Sequence, residues 1–595
     1  LERGYRQRDV PQLILEKNLF GLDIDERAAQ LTGFALMMKG RADDRRLFER
    51  GVKLNVMALK NSDGIDVDAL AKALTPGKRT ELVSSDDLFP ETIPQMSLSS
   101  ESKAPVGDAS IADVRELIRL FEHATTFGSL IQVPEELAAK LPALKQLSEA
   151  TSQDLFVSEA LKCLGPLVQQ AELLAAQYDS VVANPPYMGG GGMNAAVKKF
   201  AKDHFAAAKS DLFACFIERG CTLANDAGRN AMVTMQSWMF LSSFEKMRER
   251  LLKEKTIGTM AHLGARAFGS ISGEVVQTTS FVLLNHSING YRPAFFRLLE
   301  GGEEAKRAAL TNGRSRFDET VQLDLRKIPG SPITYWLSDQ MRDAFVTGKG
   351  LGESVPIKSG MSTTDNERFL RMWWEVDLEK FGTAFSTLED ASESENKWFP
   401  FKKGGEYRKW YGNDGVVLNW EDDGREIKAA VVNNPSDPNT THWSRRIFGV
   451  DYFFKPGITW TKISTSDFSC RWHDYGHIFS DASNGAFPES RSYATLGLLN
   501  SAVGSTYLKI ISPTLNYKAG DVSKLPVLAL IEESSRIIDE AAKGLVDHSS
   551  WDWNAYERSW DFQSLPLLTA STDPTPTIES SYTAWITQNK GTIAE

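Results

Sequence analysis

Tyr178-Asp-Ser-Val-Val-Ala-Asn184-Pro185-Pro186-Tyr187 reads as a short apolar strand that stops at two consecutive prolines. Proline has a fixed φ and no N–H, so the backbone must leave a sheet ladder here, presenting Asn184 and Tyr187 as it goes. In an open parallel sheet, that exit from the carboxyl end of a strand is where ligands bind. A plain turn is the alternative, since proline and asparagine favour turns anyway. The residues downstream of Tyr187 decide the fold class. A helix is predicted from Ser210 to Arg219, a strand over Asn230–Gln236 and a helix over Leu241–Lys255. Strands over Ile257–Leu263 and Gln277–Leu284 come next. Strand alternating with helix predicts an α/β doubly wound, Rossmann-like sheet closed by a strand pair.

Asn184-Pro-Pro-Tyr187 after such a strand resembles the catalytic motif of S-adenosylmethionine-dependent methyltransferases acting on amino groups, above all on N6 of adenine in DNA. An exocyclic amine on a heteroaromatic ring has its lone pair delocalised and is a poor nucleophile. The Asn184 side-chain oxygen and the Pro185 carbonyl can accept its two hydrogens and draw the nitrogen toward tetrahedral geometry, with Pro186 holding the turn rigid. Tyr187 would stack on a base swung out of the duplex.

Upstream, Asn18-Leu-Phe-Gly-Leu-Asp-Ile-Asp25 is predicted as a strand ending in acids, the position that binds ribose hydroxyls in nucleotide-binding α/β folds. Asp23 is the first candidate and Asp25 the second, although Asp25 serves equally as the cap of a helix over Glu26–Gly40. Phe127-Gly-Ser-Leu-Ile131 is read as strand-like, with Ser129 or Leu130 touching the cofactor's adenine or, alternatively, as a simple core strand. No glycine-rich turn precedes Asn18, so the first strand of the sheet is expected to be missing. Leu1 in place of Met and the uncapped run Asn589–Glu595 are read as the ends of a fragment.

The set Asn184-Pro-Pro-Tyr-Met-Gly-Gly190, Lys209-Ser-Asp-Leu-Phe-Ala-Cys-Phe-Ile-Glu-Arg-Gly220, Val233–Ser243 and His262-Leu-Gly-Ala-Arg-Ala-Phe268 resembles the PglX family, adenine-specific DNA methyltransferases of bacteriophage exclusion (BREX) systems. The resemblance implies S-adenosyl-L-methionine as cofactor and double-stranded DNA and other BREX proteins as partners. It also implies methylation of host DNA at a short site. Phe268, the only aromatic in Gly264–Glu274, is then expected to pack on the far face of the flipped base, or else to be a hydrophobic plug. The run Met188-Gly-Gly-Gly-Gly-Met193 is a loop that closes over substrate or a plain linker.

With 595 residues the chain has room for about four domain-sized units, and 42% hydrophobic content is ordinary for a globular protein. Residues 1–290 are assigned to the methyltransferase domain, with a helical insertion at about 61–165, and residues 291–349 to a connector. A mixed α+β target-recognition domain is assigned to 350–526 and a helical segment to 527–595. The net charge of -11 argues against general nucleic-acid affinity but does not exclude a local basic groove. Lys397-Trp-Phe-Pro-Phe-Lys-Lys-Gly-Gly-Glu-Tyr-Arg-Lys-Trp-Tyr411 interleaves five cations and six aromatics with a single acid, which makes Lys402, Lys403, Arg408, Lys409 and Trp410 candidate DNA contacts. An aromatic core with snorkelling lysines is the competing reading. His442-Trp-Ser-Arg-Arg446 adds Arg445 and Arg446 as guanine readers.

Four cysteines without paired spacing give no metal-ligand set or disulfide framework and fit a reducing cytoplasm. No apolar run is long enough to span a bilayer. Two other functions share parts of this pattern. Methylation of a glutamine amide in protein needs the same two acceptors but has no use for a large aromatic and basic second domain. A catalytically silent DNA-recognition or partner-docking subunit would not require Asn184, Tyr187 and Phe268 together.

Overall fold

A computed structural model describes residues 4–65, 67, 109–150, 155–268, 276–313, 315–464, 466–489, 492–512 and 516–594. Most of the polar stretch read over 61–108, the second half of the Gly264–Glu274 loop and residues 513–515 lie outside the described residues. The chain is a mixed α/β protein and divides into two compact units. One comprises Leu1–Gln236 and Arg250–Arg316, the other Ser237–Glu249 and Phe317–Glu595.

In the first unit β1 (Phe20–Asp23) pairs in parallel with β2 (Asn55–Ala58). The strands β3 (Tyr178–Ala183), β4 (Ala224–Met235), β5 (Thr256–Gly264), β6 (Thr278–Leu284), β7 (Ala294–Arg297) and β8 (Arg316–Phe317) form one sheet in the order β3-β4-β6-β5-β7-β8. β3 and β4 are parallel, whereas β6 runs antiparallel to both β4 and β5. β5 and β6 are the strand pair expected from the sequence, but they do not close the sheet, which continues through β7 and β8. Its core positions alternate along β4 and β6, with Met232, Phe281 and Leu283 buried.

β1 and β3 each leave one edge without a strand partner among the described residues. The Phe20 and Tyr178 rings, 5.2 Å apart, set the starts of these two strands side by side. β3 is therefore an edge strand, and Val182 is 78% exposed on it, where the sequence predicts burial. A helical layer over Ile111–Leu120, Leu141–Ser148 and Leu155–Ala175 builds a core from Val114, Leu117, Leu144, Leu161, Leu164 and Ala171. The helix at Ile111 starts with a reciprocal capping box between Ser110 and Asp113.

One element differs from its predicted form. Phe127–Ile131 is not a strand: Ala124–Phe127 is a helical turn and Gly128–Leu130 a 3-10 turn, with Gly128 at φ 58°. A five-residue apolar run cannot be told from a buried turn by periodicity. Here the Arg219 guanidinium settles it, because its Nε donates to the Ser129 carbonyl at 2.9 Å and Nη2 to the Ile131 and Leu174 carbonyls at 2.8 and 2.9 Å. Those carbonyls are satisfied without a ladder.

The second unit contains two four-stranded sheets and a short strand pair. β9 (Lys349–Gly350) pairs with β18 (Pro526–Val527). β10 (Ile357–Lys358), β17 (Ser483–Ala486), β14 (Gly457–Thr461) and β15 (Cys470–His473) make one sheet, in that order. β11 (Leu370–Met372), β13 (Val416–Asn419), β12 (Trp398–Lys402) and β16 (Ile478–Phe479) make the other. Aromatic side chains fill both cores, with Trp460, Phe468 and Tyr517 in the first and Phe399, Phe401, Trp420 and Phe479 in the second. Among the described residues no helix is long and apolar enough to cross a membrane.

Candidate active site

β3 ends at Ala183, and the chain leaves the sheet through Asn184 and Pro185. Pro185 is buried whereas Asn184 and Pro186 are exposed, so the first proline anchors the turn and the asparagine side chain faces outward. Tyr187 folds back over the ends of β3 and β4. Its hydroxyl lies 3.3 Å from Asn184 Oδ1 and 3.4 Å from the Val233 carbonyl, and its ring meets Phe213 edge-on at 6.2 Å. The hydroxyl has one proton for these two acceptors. Burial raises the Tyr187 pKa above the usual tyrosine range, which keeps the group a neutral donor.

The glycine run after Tyr187 is tied down. The Met188 N–H donates to Asp211 Oδ1 at 2.9 Å, Gly190 N–H to the Ser210 carbonyl at 3.1 Å, and Leu212 N–H to the Met188 carbonyl at 3.1 Å. Asp211 also caps the helix Leu212–Leu223 by accepting from Phe213 N–H. Burial raises its pKa, against the opposing pull of the Met188, Phe213 and Leu212 N–H groups. One carboxylate therefore fixes both the helix and the loop that carries Tyr187. The sequence reading places Asp211 inside a helix from Ser210, whereas the structure makes it the cap of a helix starting at Leu212; its bond to Met188, 23 residues away, has no local signature.

Asp211→Ala removes both bonds, and a misplacement of about 1 Å at a reacting group costs on the order of 10²-fold in rate. For the methyl transfer that the sequence motif implies, the expected result is about that loss in Asp211→Ala and near-normal turnover in Asp211→Asn, which retains the acceptor oxygen. Thermal melting of both variants separates displacement of the loop from unfolding.

Asp23 and Asp25 stand exposed at the carboxyl end of β1. Asp25 Oδ1 accepts from Arg27 N–H at 2.8 Å and caps the helix Glu26–Asp43, the structural role foreseen for it. Asp23 Oδ1 accepts from Asp25 N–H at 2.9 Å, and its other oxygen has no partner among the described residues. The Gly128–Leu130 turn lies against this end of β1, since a Cβ on Gly128 would come 3.1 Å from Ile24 Cγ2. Ser129 is half-buried with its carbonyl held by Arg219, and the Leu130 side chain is 3% exposed. Asp23 and this turn thus lie at the same end of the strand.

Phe268 is half-buried at the far limit of the described part of its loop. The loop springs from Gly264, at φ 62°, and its return is fastened by Gln277. His262 Nε2 bonds Gln236 Oε1 at 2.8 Å, and Gln236 Nε2 donates to Gln277 Oε1 at 2.5 Å. Burial, then Arg297 and Lys306, push the His262 pKa down to about 4, so the ring is neutral at pH 7. On acidification the unfolded chain binds this proton first. The stability associated with neutral His262 is complete above pH 6.5 and is lost as pH falls from there toward 4. We expect His262→Gln to lose less stability than the parent between pH 7 and pH 5 in denaturant titrations, by up to about 2 kcal/mol.

An exposed asparagine acceptor, a proline turn and a ring beside it thus stand together at the end of a parallel strand. Residues 17–268 match the Eco57I restriction-modification methylase family. Over 574 residues the chain is 42% identical to the adenine-specific methyltransferase BrxX of Escherichia coli O9:H4 (strain HS), covering 95% of this chain and 45% of that protein. The chain is thus similar to a protein named as an adenine-specific methyltransferase. It is 34% identical over 598 residues to the adenine-specific methyltransferase PglX of Lacticaseibacillus casei (strain Zhang), covering 98% of this chain and 46% of the relative. The chain therefore spans less than half the length of these curated relatives. Among solved structures, the Type IIL restriction-modification enzyme MmeI in complex with DNA aligns with a TM-score of 0.42 at 13% identity, over 71% of this chain and 58% of that one.

The residues predicted to contact DNA occupy varied environments in the second unit. Lys402 is a correction: it is 2% exposed and ion-paired with buried Asp414, so it is not available to a phosphate. It is buried because β12 is covered on both faces: Phe399 and Phe401 pack into the core on one, and Lys402, on the other, meets Asp414. Arg408 is bound to Asp552 at 2.6 Å and lies over Trp553. Lys409 Nζ donates to the Asn500 carbonyl at 2.7 Å, and Trp410, at φ 74°, packs against the first core. Arg446 pairs with Asp437 at 2.5 Å, whereas Arg445 is exposed. Lys403 is half-buried and has no ion-pair partner among the described residues. Sequence composition could not rank these cations, because each one's partner lies far away in the chain or depends on strand register.

Proposed function

We propose that this chain carries the catalytic centre and the target-recognition region of a site-specific DNA adenine N6-methyltransferase with S-adenosyl-L-methionine as methyl donor, working in a BREX phage-defence system. The observation that carries the reading is the Asn184-Pro185-Pro186-Tyr187 turn at the carboxyl end of β3, with its acceptor side chain exposed. The donor supplies an electrophilic methyl on sulfur. Everything else asked of the site is positioning, and the residues fit it. Asn184 Oδ1 and the Pro185 carbonyl accept the amine hydrogens, and Tyr187 and Phe268 hold the ring of an extruded adenine. Asp23 takes the ribose hydroxyls, Asp25 sets the helix behind it, and Ser129 and Leu130 border the cofactor's adenine.

The sheet supports a doubly wound, Rossmann-like reading. β3 and β4 run parallel, β1 and β2 run parallel, and the Phe20 and Tyr178 rings bring the starts of β1 and β3 together. In the second unit Lys403, Arg445 and Arg446 remain the cations at or near the surface for a DNA groove, and residues 350–526 serve as its target-recognition region. The names of the similar proteins, adenine-specific methyltransferases both, point to the same substrate.

Long-read mapping of N6-methyladenine tests this in cells carrying the full-length gene with its neighbours. One adenine modified within a fixed motif, and unmodified when the gene is deleted, is the expected result. Absence of modified adenine in both strains would overturn the reading.

A further inference from the structure

A cavity of about 190 Å³ in the second unit is lined by Thr363, Asn366, Phe401, Lys403, Ser480 and Asp481. Three separate chain segments build it. Met361 N–H donates to the Phe479 carbonyl at 3.1 Å, Asp481 N–H to the Met361 carbonyl at 2.9 Å, and Ser480 N–H to the Lys402 carbonyl at 2.9 Å. Glycine permits the approach: a Cβ on Gly360 would overlap the Phe479 and Ser480 carbonyl oxygens. Beside it Thr364 sits at φ 59°, a conformation β-branched residues rarely adopt.

Ser480 is 4% exposed, and its hydroxyl has no hydrogen-bond partner among the described residues. Buried hydroxyls are nearly always satisfied, so an unpaired one in the wall of a cavity marks a polar group that the described residues leave unused. Around it Thr363 Oγ1 donates to Asn366 Oδ1 at 2.5 Å, which leaves the Asn366 amide nitrogen as a donor. Lys403 adds a cationic donor, and Asp481 adds a carboxylate acceptor.

A phosphate-binding site would hold donors only, and the Asp481 carboxylate would repel the anion. Nucleobase edges in the major groove present donors and acceptors side by side, and lysine, asparagine, serine and aspartate are the residue types that read them. We propose that this cavity is a base-reading site, in which Lys403, Asn366, Ser480 and Asp481 together recognise the edge of a base or base pair in duplex DNA. The inference rests on the DNA methyltransferase reading and deepens it by placing sequence discrimination at these residues.

Two measurements on the full-length protein test it. In the first, duplexes bound by the purified protein are selected from a randomised pool and sequenced. In the second, N6-methyladenine motifs are mapped in cells, in both cases for the parent, Lys403→Gln, Asp481→Asn and Ser480→Ala. Circular dichroism confirms that each variant is folded. The expected result is a motif that loses its preference at one position by about tenfold or more, with its other positions retained. A motif unchanged at every position, whether occupancy stays the same or falls uniformly as for a phosphate contact, would overturn the proposal. A selected motif that relaxes in the variants, with no methylation in any strain, would sustain the base-reading site while removing the methyltransferase reading. Selection of no motif and no methylation would remove both.

Discussion

Asn184→Ala should abolish N6-methyladenine in cells and reduce methyl transfer by the purified full-length protein about 10²–10³-fold or more, with thermal stability unchanged. The magnitude is that of removing one preorganised hydrogen-bonding group from a reacting centre. Stability should hold because the side chain is exposed and its one hydrogen bond among the described residues is the 3.3 Å contact from Tyr187. Asn184→Asp keeps an acceptor oxygen at the same place and changes the charge, so it should retain more activity than Asn184→Ala. Tyr187→Phe removes the proton that competes for Asn184 Oδ1 while keeping the ring, and should fall between Asn184→Ala and the parent. Equal activity in Asn184→Ala and the parent would show that the acceptor role belongs elsewhere.

Chemistry that is local in the chain could be read from the sequence. Asn184-Pro-Pro-Tyr187 carries its own backbone instruction, because two prolines end a ladder wherever they fall, and the strand before it ends at Ala183. Asp25 as a cap and the antiparallel pair β5–β6 were legible for the same reason. Distant partners were not. Phe127–Ile131 has the composition of a strand, and only a guanidinium about 90 residues later turns its carbonyls inward. The apolar pattern of β3 predicts a buried strand, yet burial depends on neighbours on both edges, and β3 has a strand on one. Lys402 and Lys403 look equivalent in a basic run. Lys402, the last residue of β12, sits in the core beside Asp414, and Lys403, one residue past the strand, lines a cavity.

That difference gives the largest expected effect on stability. Lys402 and Asp414 are both almost fully buried, and His477 Nε2 lies 3.5 Å from Asp414. Burial favours the neutral form of each group and draws Lys402 below the usual lysine range. Against that same burial, the Lys402 ammonium and the hydrogen bond from His477 hold Asp414 well below the usual carboxylate range. Asp414→Ala would leave the buried Lys402 ammonium without its counter-charge, and breaking a buried pair in this way costs about 3–5 kcal/mol. Replacing both partners by Lys402→Met with Asp414→Leu removes the two desolvation costs together and should recover most of that loss in chemical denaturation. The depressed Asp414 pKa sets the acid limb: the stability that this carboxylate contributes is complete above the carboxylate's unfolded value of 3.8 and is lost as pH falls below it. The double variant should also bind duplex DNA as tightly as the parent, because Lys402 has no surface to offer it, whereas Lys403→Gln should not. Weakened DNA binding in a folded double variant would return Lys402 to the interface and require β12 to open on contact with DNA.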